Sequence, residues 1–509
     1  MKKNILSVAV AAGVAVAAGQ AVAQSTGSTA PMFISPDNTG QALIFPYYNA
    51  ENGNTTSMHI VNTTGKAKAL KIRFREYKAS YEVLDFNVFL SPYDHFSWTV
   101  AAHPEGKTDG AAIITRDNSC TYPALGSANY APYEGGTTAD GALYQPFVNF
   151  EFAKGEDNGD ARTLAGYAEV IEMGVPDATD SLGWGKNAKH GTTGIPLSCA
   201  KIAALYAPTK AWVNGGQSGM AAPIGGLYGI SYHLNVNDAA AFGIEPTVID
   251  DFSAVSIHAL AGSDNPNLGG GTTSSLIVDP TDGAANTLDF TGLAAGWEAV
   301  SSLIMSRDIS NDVMTNDAVG AQTDWVMNFP TKHAHANKAT QAGVILPFTD
   351  NYTQGTKGKA GTEALACEYV EITTYDREEK TVTPEKQPDF SPKPDIDVEY
   401  SSLCYEVSTL MWDNTAGALN GTLGAATASY TFEDGWAFVD MDAATYNNAA
   451  SAPKKVNART LTDDNNQVLE GLPVIGFMAT KYANSTVIDG AMFAYGHVAD
   501  HKTTTSLSD

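Results

Sequence analysis

Positive charge is what this 509-residue chain has least of: 30 Lys and Arg stand against 56 Asp and Glu, a formal net charge of -26. A polyanion of this kind repels nucleic acid and anionic membrane and attracts divalent cations or basic partners. Charge of either sign is also sparse, at 17% of residues against about a quarter in an average domain. The polar surface must therefore come mainly from Asn, Thr, Ser and Gly, the composition of turn-rich extracellular β proteins. Long hydrophobic runs are missing after the first 23 residues, so nothing approaches the roughly 20 apolar residues of a membrane helix. The long polar inserts do not suggest the repeated apolar-out strands of an outer-membrane barrel. Phosphate-binding signatures are absent too: no GxxxxGK[ST] occurs, and Gly269-Gly270-Gly271 precedes Thr-Thr without a strand-loop-helix context. What is plentiful is apolar bulk, 43% hydrophobic residues with 22 Tyr and 19 Phe, enough to build a core and to argue against disorder.

The N-terminus reads as an export signal. Lys2 and Lys3 precede an apolar stretch from Ile5 to about Gly19, and Ala21-Val22-Ala23 offers a small-residue cleavage site before Gln24. Gln24 is not Cys, so no lipid anchor is indicated. Loss of residues 1–23 removes two Lys and no acid, taking the charge from -26 to -28. The remaining Cys120, Cys199, Cys367 and Cys404 then face an oxidising compartment, where two disulfides are expected. Of three pairings, Cys120 with Cys199 and Cys367 with Cys404 is favoured, because the pairs fall in different halves. Zinc is the alternative, but no pair has CxxC spacing.

Period-two patterning is clearest from Gln41 to Trp98. Leu70, Ile72 and Phe74 alternate with Lys71, Arg73 and Arg75, and Leu84, Phe86, Val88 and Leu90 with Asp85, Asn87 and Phe89. Such segments are half-buried strands with one polar face. Asn52-Gly53 and Asn62-Thr63-Thr64-Gly65 read as hairpin turns, and Gly166 to Met173 as a further strand. From about Val175 the texture becomes Gly-rich, with a strand at Leu227 to His233 and helices expected at Pro246 to Leu260 and Leu293 to Met305. Strands return at Trp325 to Pro330, Gly343 to Phe348, Cys367 to Tyr375 and Cys404 to Trp412. Tyr430 to Phe438 reads as an Asp-Gly hairpin, and Leu472 to Tyr482 with Ala491 to His497 closes the chain. The expected fold is all-β, mainly antiparallel β-sandwich, with a minor mixed α/β insertion. Its divisions are a signal peptide at 1–23, an N-terminal sandwich region at 24–174, a Gly-rich insertion with short helices at 175–324 and a C-terminal sandwich region at 325–509.

Several fragments carry a resemblance: Gln41 to Tyr48 (QALIFPYY), Val83 to Asn87 with Leu90 to Asp94, Trp325 to Lys332 (WVMNFPTK), Tyr375 to Glu379, and Leu472 to Phe477. Together the chain resembles a group of exported proteins of Gram-negative bacteria described as hypothetical or cell-surface proteins. The resemblance implies an envelope or extracellular location and transfers no catalytic residue.

Site chemistry is thin. Gly216-Gln217-Ser218-Gly219-Met220 lacks the second Gly of GxSxG, and Ser451-Ala452-Pro453-Lys454 carries a Pro that spoils the helical turn an SxxK pair needs. His333 and His335 would share a face on a strand and form a metal pair without an identifiable third ligand, so they read as surface histidines, as do His497 and His501. Tyr47, Tyr48, Trp98, Trp184 and Trp412 are aromatics that would stack on sugars if exposed. Calcium is the better metal question, because a hard cation wants six to eight oxygens. The cluster Glu156-Asp157-Asn158-Gly159-Asp160 makes Glu156, Asp157 and Asp160 the candidate ligands, followed by Asp279 to Gly283 and Asp463 to Asn466; none fits an EF-hand. Beyond calcium no cofactor is expected. The reading is a non-enzymatic structural or interaction protein of the bacterial cell surface, a surface-layer, matrix or filament-like subunit with protein partners or self-association, no nucleic acid and no membrane insertion. The alternative is a secreted or periplasmic binding module for glycan or metal, and the third reading an extracellular hydrolase.

Overall fold

The structure, a computed structural model, describes residues 30–508 apart from 128–132, 153–158, 280–281, 337–345, 350–365, 379–380, 383–400, 413–416, 429, 431, 443–444, 447–453, 456–458 and 489–490. The expected leader at 1–23 lies outside the described residues.

The fold is all-β and sandwich-like. In the N-terminal half β1 (Ala42–Asn49), β2 (Asn54–Asn62), β3 (Lys68–Glu76), β4 (Glu82–Leu90), β5 (His95–Ala102) and β6 (Ala111–Thr115) come in quick succession, followed by β7 (Ala165–Pro176). The stretch expected as an insertion adds β8 (Leu227–Asn235), β9 (Ala240–Ile244) and β10 (Thr247–Asp250). The first sheet runs Phe33–Ile34, β10, β1, β7, β3, β4, Cys120–Tyr122, with Met220–Ala221 beside β7. The second runs β9, β8, β2, β5, β6, Leu143–Pro146, Gly136–Thr137. Residues 227–250 thus complete both sheets of the N-terminal sandwich. Asn52 and Gly53 have φ of 51° and 81°, the left-handed pair of a tight reversal. They nevertheless do not make the expected hairpin: β1 and β2 belong to opposite sheets, and so do β2 and β3. The turn residues dictate a reversal, while long-range pairing decides which sheet receives the strand.

Among the described residues α-helix is confined to short pieces: α1 (Trp184–Ala188), α2 (Cys199–Ala203), α3 (Ala295–Leu303) and α4 (Lys332–His335). The helix expected at Pro246–Leu260 is instead β10 followed by irregular chain. Thr247, Val248 and Ile249 are mostly β-branched, which suits a pleated surface, and they meet the open edge of β1. The expected helix at Leu293–Met305 forms as α3.

The C-terminal half contains β11 (Asp308–Met314), β12 (Ala321–Asn328), β13 (Cys367–Asp376), β14 (Val407–Met411), β15 (Asp434–Asp440), β16 (Ile475–Ile488) and β17 (Ala491–Asp500). One sheet runs Thr381–Val382, β13, β15, β11, Lys502–Thr504, and the other Ala425–Thr427, β14, β12, β16, β17. β11 therefore comes from before residue 325. The Asp434-Gly435 pair is not a turn: both residues lie in β15, paired with Met314 and Val313 on one side and with Asp376 on the other. A Cβ on Gly435 would lie 2.0 Å from the Tyr375 carbonyl oxygen, so close passage of backbone is what the glycine permits. Of the expected strand at Gly343–Phe348, residues 343–345 are outside the described residues and Leu346 and Pro347 form a turn.

The two halves are not separate bodies of core. A bulge where β7 passes β1 interrupts the alternation. Leu43, Phe45 and Tyr48 consequently face the sandwich interior with Phe74 and Trp98, while Ile44 and Tyr47 face a second core shared with Val326, Val407 and Phe477 of the C-terminal half. Both disulfides form as the spacing suggested. Cys120–Cys199 pins α2 to the strand at the sheet edge, and Cys367–Cys404 bridges directly opposed residues of β13 and the strand Ser401–Cys404. Two structural disulfides fit an oxidising, periplasmic or extracellular compartment. Among the described residues no helix is long and apolar enough to cross a membrane.

Candidate functional site

Three places concentrate chemistry. The first is a charged layer on the face of the first sheet turned away from the second. The alternation places Lys71, Arg73 and Arg75 of β3 there beside Asp85 of β4 and Glu169 of β7. Lys71 Nζ lies 2.6 Å from Asp85 Oδ2, Arg73 Nε 2.6 Å from Glu82 Oε2, and Arg75 Nε 2.8 Å from Glu169 Oε1. The sequence suggested a wet polar face; in fact Lys71 and Arg73 are fully buried. The covering strap is the chain from Ala259 to Pro266, whose carbonyls accept from Asn87, Lys71 and Arg73, while the Gly262 amide donates to Asp85. Burial of Glu82, reinforced by Asp85, pushes its carboxyl up to about 7.

The layer continues under α4. His333 and His335 sit on this short helix and are not surface residues of a strand. His333 Nδ1 lies 3.2 Å from Glu406 Oε1, and the Trp297 ring stands edge-on to His333. His335 Nε2 meets Ser301 Oγ at 2.9 Å. Burial, followed by Arg75, holds His333 down to about 3, and burial holds the Glu406 carboxyl well above the usual range. Glu406 is wholly buried, while His333 above it keeps a small exposed edge.

The second place is a cavity of about 370 Å³ at the junction of the halves, lined by Pro46, Val248, Met305, Ile309, Ile475 and Phe477 with Glu245 and Asp500. Asn38 Nδ2 donates to Glu245 Oε2 at 3.0 Å. His501 lines it but is committed elsewhere, with Nε2 3.0 Å from the Val326 carbonyl oxygen and Nδ1 3.3 Å from Asn311 Nδ2. It is buried and held down to about 4, against the surface reading of the sequence; His497 is exposed.

The third place is the outer face of the second sheet. Residues alternating outward are Tyr228, Ile230, Tyr232 and Leu234 on β8, Thr55, Ser57, His59 and Val61 on β2, and His95, Ser97, Thr99 and Ala101 on β5. All are at least partly exposed, and none is charged in the usual sense of Lys, Arg, Asp or Glu. His59 Nδ1 and His95 Nε2 stand 3.1 Å apart, and Tyr232 packs edge-on against His59.

The expected sites fare differently. Glu156 and Asp157 lie outside the described residues; Asp160 opens a 3-10 turn and accepts from Tyr133 Oη at 2.9 Å. Among the described residues no group of three or more His, Cys, Asp or Glu is placed to hold a metal. Asp463 spends its carboxylate on the Asn465 and Gln467 amides of its own turn. Ser451 is outside the described residues, and Ser218 lies in a loop whose carbonyl accepts from the Trp212 indole. Tyr47, Tyr48, Trp98, Trp184 and Trp412 are all buried, so none offers a sugar platform. The charged layer and the His59–His95 pair were missed. Alternating basic residues on β3 opposite acids on β4 were a usable signal for the first; the second needed the pairing of β2 with β5.

Comparison of the chain with family profiles, with curated proteins and with solved structures finds no match.

Proposed function

We propose that this is an exported, non-enzymatic structural or interaction subunit of the bacterial cell surface that self-associates through the outer face of its second sheet. The observation that carries the reading is that face: three adjacent strands turn outward two Tyr, two His, four aliphatic side chains and small hydroxyl residues, with no Lys, Arg, Asp or Glu, in a chain of net charge -26. A contiguous face of this composition marks a contact surface, and a polyanion needs such a neutral patch if copies are to meet. The two disulfides and the resemblance to cell-surface proteins support export. Calcium at Asp160 and its neighbours Glu156 and Asp157 belongs to the same reading, as a bridging or loop-ordering ion. The test is sedimentation of the purified protein over a wide concentration range. Assembly is expected, and Tyr228→Ser with Tyr232→Ser should abolish it while leaving the circular dichroism unchanged; a wild-type chain that stays monomeric with and without millimolar calcium overturns the reading.

The cavity between the halves favours a second reading, a binding module. Its lining mixes apolar side chains with Asn38, Glu245, Asp500 and three threonines and, among the described residues, carries no Lys or Arg, which suits an apolar body bearing a cationic, hydrogen-bonding end. Octylammonium stabilising the fold against heat more than octanoate or octanol would support it.

A further inference from the structure

The geometry points to a divalent transition-metal site on the outer face of the second sheet, with His59 Nδ1 and His95 Nε2 as its two protein ligands. The pair is built by strand register. Val61 is opposite His95 and Ser97 opposite His59, so the two histidines are diagonal neighbours across β2 and β5, a relation that lets long side chains touch. Their facing nitrogens are 3.1 Å apart. Zinc and its neighbours bind imidazole nitrogen at about 2.0–2.1 Å, so an ion placed equidistant from both would subtend an angle of about 100°, between octahedral and tetrahedral values.

The surroundings favour the ligating tautomer of His59. Ser57 Oγ lies 3.2 Å from His59 Nε2; accepting a hydrogen bond from that nitrogen leaves Nδ1 with its lone pair directed at His95. Such partners on the distal nitrogen orient metal-binding imidazoles. Tyr232 fixes the ring from the side, with centroids 5.7 Å apart. Without metal, one proton must lie between the two facing nitrogens. On binding, His95 moves its proton from Nε2 to Nδ1, and no bond other than the two metal–nitrogen bonds is formed. No outward residue of the three strands is Lys or Arg, and the net charge of -26 draws cations. Two imidazoles leave the remaining positions to water. The ligand class is therefore a borderline first-row ion, with Cu²⁺ bound most tightly and Ni²⁺ and Zn²⁺ following.

This site stands on imidazole geometry and does not rest on self-association. The test titrates Cu²⁺ and Ni²⁺ into the untagged protein at pH 7.5 by calorimetry, with sedimentation run on the same samples. One ion per chain is expected, with a copper electron paramagnetic resonance spectrum showing two nitrogen couplings. His59→Gln and His95→Gln should each weaken binding at least about tenfold, since loss of a mere outer partner already costs 10–100-fold. A His190→Gln, His497→Gln double variant should bind as the wild type does. Both ligands lie on an exposed face, so the fold is retained. Binding unchanged in the His59→Gln, His95→Gln double variant, or no stoichiometric binding by the wild type, overturns the proposal. Metal uptake by a monomer upholds it while sinking the assembly reading.

Discussion

Side chains in this molecule are divided between alternation, which is local, and covering, which is not. Lys71, Arg73 and Arg75 occupy the face that period two assigns them, but only the Ala259–Pro266 strap, nearly 200 residues away in sequence, makes that face dry. A second buried pair, held by a different segment, offers a measurement: Lys68 Nζ lies 2.7 Å from Glu172 Oε1 and 2.6 Å from the Gly225 carbonyl oxygen, with both side chains fully buried. Lys68→Met should destabilise by about 3–5 kcal/mol in urea titration, because it strands a buried carboxylate. Adding Glu172→Met should recover part of that loss, the remainder being the hydrogen bonds its carboxylate accepts from the Ile224 and Gly225 amides; equal effects of the single and double variants would contradict the pairing. Acid sensitivity is local as well. Burial holds His501 down to about 4 against about 6.5 unfolded, so the unfolded chain takes up this proton first. The contribution of neutral His501 is whole above pH 6.5 and drains away as pH falls towards 4. The stability gap between wild type and His501→Gln should therefore narrow by about 1.4 kcal/mol per pH unit below 6, read from urea midpoints at successive pH values.

Strands were legible wherever apolar residues alternated over eight or nine positions, as in β2, β3 and β4, because the side-chain period is a property of the backbone itself. Turn chemistry was less transferable. Asn52-Gly53 reverses the chain but sends it to the opposite sheet, and Asp434-Gly435 runs straight through β15. At the second position the glycine serves the neighbouring strand, whose Tyr375 carbonyl oxygen would lie 2.0 Å from any Cβ. Gly435→Ala should therefore cost about 1–3 kcal/mol by overpacking, whereas an alanine in a solvated turn would cost far less; thermal melts of the variant separate the two. The expected helix at 246–260 failed for a related reason. Its apolar spacing also fits a strand, and the free edge of β1 offered Thr247–Ile249 hydrogen bonds that a short helix could not match. The histidine pair was illegible for want of register: 36 residues separate His59 from His95, and only the alignment of β2 with β5 sets them diagonal.

Taken as one body, the molecule is two sandwiches sharing a core through Tyr47, Val326 and Phe477, in a chain whose acids outnumber its bases by 26. Composition announced the polyanion and the all-β class, and the cysteine spacing announced both bridges. The shared core was hidden, because a bulge at β1 is a pairwise event that leaves no mark in composition. If copies meet through the neutral outer face, their remaining surfaces repel, and that repulsion is screened over about 10 Å at 0.1 M salt. The association constant should accordingly rise between 10 and 150 mM NaCl in sedimentation equilibrium; a fall would indicate contacts between opposite charges instead. The bond between Cys367 and Cys404 has a separate implication for what a protease can do to the chain. Every peptide linkage from 368 to 403 lies inside the ring it closes, so a single proteolytic cut there opens the ring without releasing either piece. The nicked chain would travel as one band until a reducing agent parts it, and the β13–β15 pairing would be left tethered to the remainder of its sandwich.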